Sequence, residues 1–434
     1  MSDLKDKINI NELPNDWKWT KLSLVAKCVV GIASSATHAY SKKGILLIRN
    51  QNIKEGKIEI SDALYINEMY ENGYKSKRLK AGNILTVRTG YPGISAVVPK
   101  ELEGSQSFTT LIIRDIADNV NSYFLCYFIN SDYGKKFFSS NQAGGGQQNV
   151  GAKTLENLIF PLPPLPEQQK IAEILSTVDE KIELIEAQIN QTTELKKGLM
   201  QQLLTKGIGH TKFKDSPLGK IPESWEVVKL EKYCDVRDGT HDSPKYLKEG
   251  IPFITSKNLS GNNLDFSDVK YISHEDHLNF SKRSFVDDGD ILFAMIGTVG
   301  NPIVVKKEFE FSIKNVALLK FKKEQLINTF ALNVLRSKIV ENQFQKISNG
   351  GVLKFVALGN IRNLNFPIPP THEQQQIATI LNTIDDKIVS LVAKKTQYIN
   401  FKKGLMQQLL TGKLRVNLNP TNHAAKSGEL QAAE

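Results

Sequence analysis

Cysteine is scarce in this chain and long apolar runs are missing. Cys28, Cys126 and Cys234 are the only three among 434 residues. They lie far apart with no CxxC pair, which argues against a disulfide framework or a thiolate zinc site. No stretch approaches the roughly 18 consecutive apolar residues of a membrane span, and the opening MSDLKDKINI is polar and charged, so neither a span nor a secretory leader is expected. No GxxxxGK[ST] phosphate loop occurs, which removes ATP-driven work from the chain's own chemistry.

What is present is an ordinary soluble composition, with 40% apolar and 24% charged residues. Single cores stop growing at roughly 250 to 300 residues, so this length predicts two domains or more. A net charge of +10 and a pI near 9.1 fit an anionic partner without requiring one.

Internal duplication organises the chain. The decapeptide KKGLMQQLLT spans Lys196–Thr205 and recurs letter for letter at Lys402–Thr411, a displacement of 206. Upstream, FPLPPLPEQQKIAEILSTVDEKI from Phe160 matches FPIPPTHEQQQIATILNTIDDKI from Phe366. The front ends match as well: Trp17 aligns with Trp225, Gly31 with Gly239, the Gly82-Asn-Ile-Leu run with Gly289-Asp-Ile-Leu, and Gly90 and Gly93 with Gly297 and Gly300. The result is two tandem units, each a divergent front followed by a closely similar tail. The boundaries read from this are a first domain 1–159, a first long helix with its lead-in 160–206, a second domain 207–365, a second long helix 366–413 and a polar, disordered tail 414–434.

Each tail opens on a proline cluster, Pro161, Pro163, Pro164 and Pro166 or Pro367, Pro369 and Pro370, which reads as an extended lead-in to a helix. Beyond it Ile171, Ile174, Leu175, Val178, Ile182, Ile185, Ile189, Leu195, Leu199 and Leu203 keep a three-and-four spacing that loosens near Thr192. The second copy repeats it with Ile377, Ile380, Leu381, Ile384, Ile388, Leu391, Tyr398, Phe401, Leu405 and Leu409. A helix of about 40 residues is about 60 Å long. The economical arrangement packs the two antiparallel within one chain, with an approximate internal twofold axis; dimerisation with a second copy is the alternative.

In the fronts, short β-branched runs such as GILLIRNQNI, GNILTVRTGYPGISAVV, GIPFITSKNL and GDILFAMIGTVGNPIVV are punctuated by Gly, Asn and Asp. SYFLCYFINSDYGKKFF and TFALNVLRSKIVENQF read as helices covering the sheets, so each front is an α+β lobe. Helix 166–206 holds five Lys or Arg against seven Asp or Glu, and helix 372–413 six against three. The basic excess therefore lies mostly in the lobes, where Lys42, Lys43, Arg49, Arg88, Lys245, Lys257 and Arg283 can neutralise phosphates. Base reading needs amide and cationic side chains on turns. The candidate tips are Arg49, Asn50, Gln51 and Asn52, then Arg88, Thr89 and Tyr91, and in the second lobe Thr255, Lys257 and Asn258.

No ordered acid, base or nucleophile set emerges. His274 and His277 lack a third metal partner and read as a charged surface loop. Gly144 to Asn149 reads as a flexible turn, and Asp287, Asp288 and Asp290 as β-turn composition. The Asn-Pro-Pro-aromatic or Asp-Pro-Pro-aromatic signature of adenine methylation is absent.

Two units of variable lobe plus a PxPPxxEQ helix resemble the specificity subunits of Type I restriction-modification systems, over essentially the whole chain. The resemblance rests on Phe160–Ile171 with Phe366–Ile377, the paired KKGLMQQLLT, Trp17 with Trp225, and the GDIL run with its glycine loop. It implies two target-recognition domains, each reading half of a split double-stranded DNA target, in a cytoplasmic, prokaryotic protein without chemistry of its own. It also implies helices that space the lobes and dock two methyltransferase subunits, roles carried by Glu167, Gln168, Ile171 and Leu199 and by Glu373, Gln374, Ile377 and Leu405. Restriction subunits complete the implied complex. S-adenosylmethionine, ATP and Mg would belong to those partners, and no cofactor or metal to this chain. Gln147, Gln148 and Asn149 match a Gln/Asn feature of the family, whereas the second unit departs from it with Asn349 to Lys354, so a common role there is in doubt. A protein-binding scaffold and a metal-dependent nuclease are the alternative readings.

Overall fold

The computed structural model describes residues 13–141, 149–261, 263–297, 299–321, 325–348 and 354–418. The chain divides into two compact units. One comprises the described residues up to Glu186 together with those from Lys394 onward, and the other is Ala187–Ala393. Each unit therefore holds one lobe, the first part of the helix that follows it, and the last part of the other long helix.

In the first lobe, strands Lys27–Val30, Leu111–Arg114, Ile84–Thr86 and Ser95–Val97 lie in that order in an antiparallel sheet. A second sheet orders Gln106–Phe108, Ile45–Arg49, Leu64–Ile66 and Tyr40–Ser41, with one parallel pair between Gln106–Phe108 and Ile45–Arg49. Ile84–Thr86 is buried at every position, with the Thr86 hydroxyl paired to Ser95 at 2.7 Å. The second lobe repeats the plan. Its first sheet orders Cys234–Asp238, Val316–Phe321, Ile291–Ala294 and Gly300–Val304, and a three-stranded sheet orders Lys270–Ile272, Ile251–Ile254 and Ser312–Ile313. Helices Ser122–Asn130 and Asp132–Ser140 cover the first lobe, with Asn121 capping the former by accepting from the Phe124 amide at 3.0 Å and Ser131 capping the latter. Asn328–Leu335 and Lys338–Ile347 do so in the second.

Each lobe is closed by pairing its beginning with its end. Lys18–Lys21 runs antiparallel to Ile159–Leu162, and Glu226–Lys229 to Asn365–Ile368. The proline lead-ins are therefore edge strands in part, where a missing N–H is tolerated. The long helices follow at Leu165–Lys206 and Thr371–Leu409. The second stops four residues short of the expected 413, and both are followed by a left-handed glycine. Gly207 (φ 65°) and Gly412 (φ 73°) each lie so close to the lobe that a Cβ would meet Trp225 and Glu373 in one case and Pro14 in the other. The backbone sign and the close approach both call for glycine there.

The antiparallel pairing of the long helices is present inside each unit. In the first, Lys402 contacts Asp179 at 2.7 Å and Lys395 contacts Glu186 at 2.9 Å; in the second, Lys196 contacts Asp385 at 2.6 Å. Partner numbers fall as helix numbers rise, as antiparallel segments require. The expected apolar seam is corrected at three positions. Leu195, Ile380 and Phe401 are exposed, whereas Lys196 and Lys402, one residue further along, turn inward onto Asp385 and Asp179. The register change near Thr192 puts a lysine where strict spacing would put a leucine.

Both helix ends belong to the lobe cores. Ile171, Ala172, Leu175, Met406, Leu409 and Leu410 pack with Trp17, Phe124, Phe128 and Phe160 in the first unit. Leu203, Leu204, Ile377, Ala378 and Leu381 pack with Trp225, Phe293, Phe330 and Phe366 in the second.

Candidate nucleic-acid interface

The same turn recurs at the tip of each lobe. After strand Ile45–Arg49 the chain makes a single 3-10 turn, Asn50–Asn52, and after Ile251–Ile254 it makes Ser256–Asn258. Asn52 Oδ1 accepts the Arg49 amide at 2.9 Å and its Nδ2 donates to Asp62 Oδ1 at 2.6 Å. Asn258 Oδ1 accepts the Thr255 amide at 2.9 Å and the Thr255 hydroxyl at 3.0 Å, while its Nδ2 donates to the Asp265 and Asp268 carbonyls. Both asparagines are buried. The expectation that Asn52 and Asn258 read bases is therefore corrected: their side chains are engaged in building the turn, since a buried amide must satisfy both ends.

The rest of the first tip stays near the surface. Asp62 holds Arg49 and Gln51, the latter at 2.6 Å. Asn50 reaches across to the second candidate loop, where its Nδ2 donates to Thr89 Oγ1 at 3.0 Å and its Oδ1 accepts the Arg88 amide at 3.2 Å. Arg88 Nε donates to Asn149 Oδ1 at 3.0 Å. The structure thus brings Asn50, Arg88, Thr89 and Asn149 together, and Tyr91 beside them is 80% exposed. Lys42, Lys43, Lys245 and Lys257 are exposed. Arg283 is exposed but ion-paired with Asp238, which His241 also contacts at 2.9 Å. Gln147, Gln148 and Asn349 lie outside the described residues.

The helix residues assigned to docking have another place. Glu167 is 1% exposed, and its Oε2 accepts the Trp17 indole N–H at 2.9 Å. Glu373 does the same for Trp225 at 2.9 Å. Gln168 Nε2 donates to the Pro163 and Asn119 carbonyls and its Oε1 accepts the Asn121 amide. Gln374 makes the matching set with Pro369, Gln325 and Ile327. Ile171 and Ile377 are fully buried, and Leu199 and Leu405 pack on the lobe cores. The PxPPxxEQ repeat is therefore the clasp between lobe and helix. None of the six buried residues presents its side chain to a partner, and Leu199 and Leu405 face inward.

Sequence reasoning missed the cations that finish each clasp. Arg415 donates to Glu167 at 2.7 Å and to Asp16 at 2.7 and 2.9 Å, holding the Asp16 carboxyl below its usual range. His210 takes the matching place on Glu373 at 2.9 Å, joined by the Ile208 amide. The start of the polar tail is thus anchored, contrary to its reading as disordered; residues 419–434 lie outside the described part. The inward pairs Lys196–Asp385 and Lys402–Asp179 were also missed, although all four residues recur at the displacement of 206.

His274 and His277 open a helix, His274–Ser284, rather than a loop, and His277 is buried with Nδ1 2.9 Å from Ser312 Oγ. Burial holds its imidazole below the ordinary range. Asp290 is likewise buried in its turn, accepting from the Asp287 amide and Lys320, and burial pushes its carboxyl up. Burial pushes the Cys28 and Cys126 thiols up to about 12, which leaves both as packing residues at neutral pH. Among the described residues no group of three or more His, Cys, Asp or Glu side chains is placed to hold a metal, and no helix is long and apolar enough to cross a membrane.

Comparison with known proteins agrees with this geometry. The family model of the Type I restriction modification DNA specificity domain matches twice, at residues 16–195 and 222–400. A putative type I restriction enzyme MjaX specificity subunit of Methanocaldococcus jannaschii is 32% identical over 426 residues, covering 94% of this chain and 96% of its own. The EcoKI specificity subunit of Escherichia coli K12 is 22% identical, covering 98% and 95%. The S subunit of a Type-I restriction-modification system from M. genitalium shares the fold with a TM-score of 0.57 at 14% identity, covering 92% of this chain and 98% of its own. A duplicated lobe, a duplicated clasp and a twice-matched family model lead to one assignment: the chain belongs to the Type I restriction-modification DNA specificity subunits.

Proposed function

We propose that this chain reads a bipartite double-stranded DNA target, one half-site per lobe, and carries no chemistry of its own. The supporting observation is a contrast within one molecule. The Trp, Glu and Gln of the clasp and the asparagine that builds the turn recur in both lobes, whereas the side chains displayed around that turn differ. Two readers of unlike half-sites need a common scaffold and different tips. Exposed Lys42, Lys43, Lys245 and Lys257 would contact phosphates and fix register, while Asn50, Gln51, Arg88, Thr89 and Tyr91 are the first-lobe candidates for base edges.

Docking of two methyltransferase subunits moves, in this reading, from the buried clasp to the outward helix surface. Lys197, Gln201 and Gln202 are exposed and identical to exposed Lys403, Gln407 and Gln408, and beside them Leu195 and Phe401 are 56% and 55% exposed. Packing explains identity at buried positions but not at exposed ones, whereas one kind of partner bound twice explains both. S-adenosylmethionine, ATP and Mg would serve the methyltransferase and restriction subunits, in the cytoplasm.

The deciding experiment maps methylated adenines in cells carrying the methyltransferase with and without this chain. A split, asymmetric motif that depends on the chain supports the reading. Unchanged methylation, with the complex shown to assemble, would point instead to a protein-binding scaffold.

A further inference from the structure

The second lobe carries an apolar pair where the first carries a polar one. In the first lobe Thr89 and Asn149 form an isolated antiparallel bridge, and the Val150 amide donates to the Arg88 carbonyl at 3.3 Å. In the second, Ile296 and Phe355 form the corresponding bridge, and the Val356 amide donates to the Met295 carbonyl at 2.9 Å. The positions correspond in sequence as well, since Gly90 and Gly297 follow the first member of each bridge and Val150 and Val356 follow the second.

Residues opposite each other in such a bridge put their side chains on the same face. Their neighbours Met295 and Val356 point inward and are buried, while Ile296 and Phe355 are 43% and 54% exposed. Two large apolar side chains thus stand side by side at the rim of the lobe. In the first lobe the same face offers a hydroxyl and an amide, with the Arg88 guanidinium on Asn149. One Arg88 nitrogen is engaged there, and the guanidinium has five donors in all.

We propose that Ile296 and Phe355 are specificity-determining residues that contact thymine methyl groups in the major groove, and that Arg88, Thr89 and Asn149 hydrogen-bond base edges at the corresponding place in the first lobe. The inference rests on the DNA-reading function above and deepens it. In the major groove the thymine methyl is the apolar feature of the base edges, and all other discrimination there uses donors and acceptors. A pair without any hydrogen-bonding group matches that methyl among the base-edge features of the major groove. The two lobes would therefore read by different chemistry on one scaffold, and their half-sites would differ in kind.

The test uses the full chain assembled with its methyltransferase subunits. Once the methylated motif is mapped, duplexes carrying deoxyuridine for thymine in one half-site at a time are compared in competition binding. The wild-type complex is expected to lose about 5-fold in affinity or more for one half-site only. The Ile296→Ala/Phe355→Ala variant should be weaker on the natural site and indifferent to that replacement. Arg88→Ala should relax base preference in the other half-site alone. A wild-type complex insensitive to loss of thymine methyls in both half-sites overturns the proposal while leaving bipartite reading intact, and this arm needs no variant to fold. Absence of any bipartite motif would instead remove the function on which it rests.

Discussion

Trp17 and Trp225 each join a lobe to a helix through one indole N–H on one buried glutamate. Replacing Trp17 by alanine removes a large packed ring and leaves the Glu167 carboxylate without that donor. A cost of about 3 to 5 kcal/mol is expected, read as a fall in the melting temperature of the first unit. Glu167→Gln should cost less, since an amide oxygen still accepts from the indole and only the pairing with Arg415 is weakened. His277 gives a pH signature to the second lobe. Its folded value lies below the roughly 6.5 of a free imidazole because burial disfavours the charged form. The unfolded chain therefore takes up the proton first on acidification. The stabilisation is present above about pH 6.5 and is lost as pH falls toward the lower folded value. Thermal scans of the full chain between about pH 8 and 5 should show a decline that His277→Gln reduces.

At the scale of elements, the paired long helices carry one inward lysine–aspartate contact in each unit, Lys402–Asp179 and Lys196–Asp385, related by the repeat. Removing one partner strands the other charge in a half-buried site. Lys402→Met is expected to cost about 1 to 3 kcal/mol, below the range for fully buried pairs because Asp179 is partly open to water. Adding Asp179→Leu to that variant should recover part of the loss, and no recovery would assign the effect to packing of the lysine stem. These elements also show where the sequence was legible. The duplicated helices, their antiparallel pairing and the α+β lobes follow from periodicity and repetition, signals that do not depend on distant contacts. The inward lysines did not emerge, because a hydrophobic template has no place for a charge that finds its partner about 190 to 220 residues away. Asn52 and Glu167 misled for a related reason. Amides and carboxylates suit both a DNA surface and a buried turn, and only the fold decides between them.

At the scale of the whole molecule, the helices would act as the ruler between half-sites. Inserting about four residues, roughly one turn or 5.4 Å, at matched points in both helices should lengthen the unread spacer by about one to two base pairs and leave both half-sites unchanged. Methylation mapping reads that change directly, and an unaltered spacer in an assembled complex would refute the ruler. Binding by the complex should also weaken steeply with salt, with a slope set by the number of phosphates that the lobe lysines would contact.

The division of the chain into units bears on how it is made. The first lobe's core includes Met406, Leu409 and Leu410, and Arg415 closes its clasp on Glu167. A ribosome that has just finished the first lobe still has about 250 codons to translate before those residues exist. At about 5 to 20 residues per second, that is an interval of about 12 to 50 seconds. Throughout it Ile171 and Leu175 lack the part of their cover that Met406, Leu409 and Leu410 supply in the finished protein, so the nascent chain exposes apolar surface that shielding during synthesis would protect. The second lobe faces no such wait, since everything it packs against precedes it or follows at once. Birth order therefore gives two otherwise matched halves unequal vulnerability to aggregation and proteolysis.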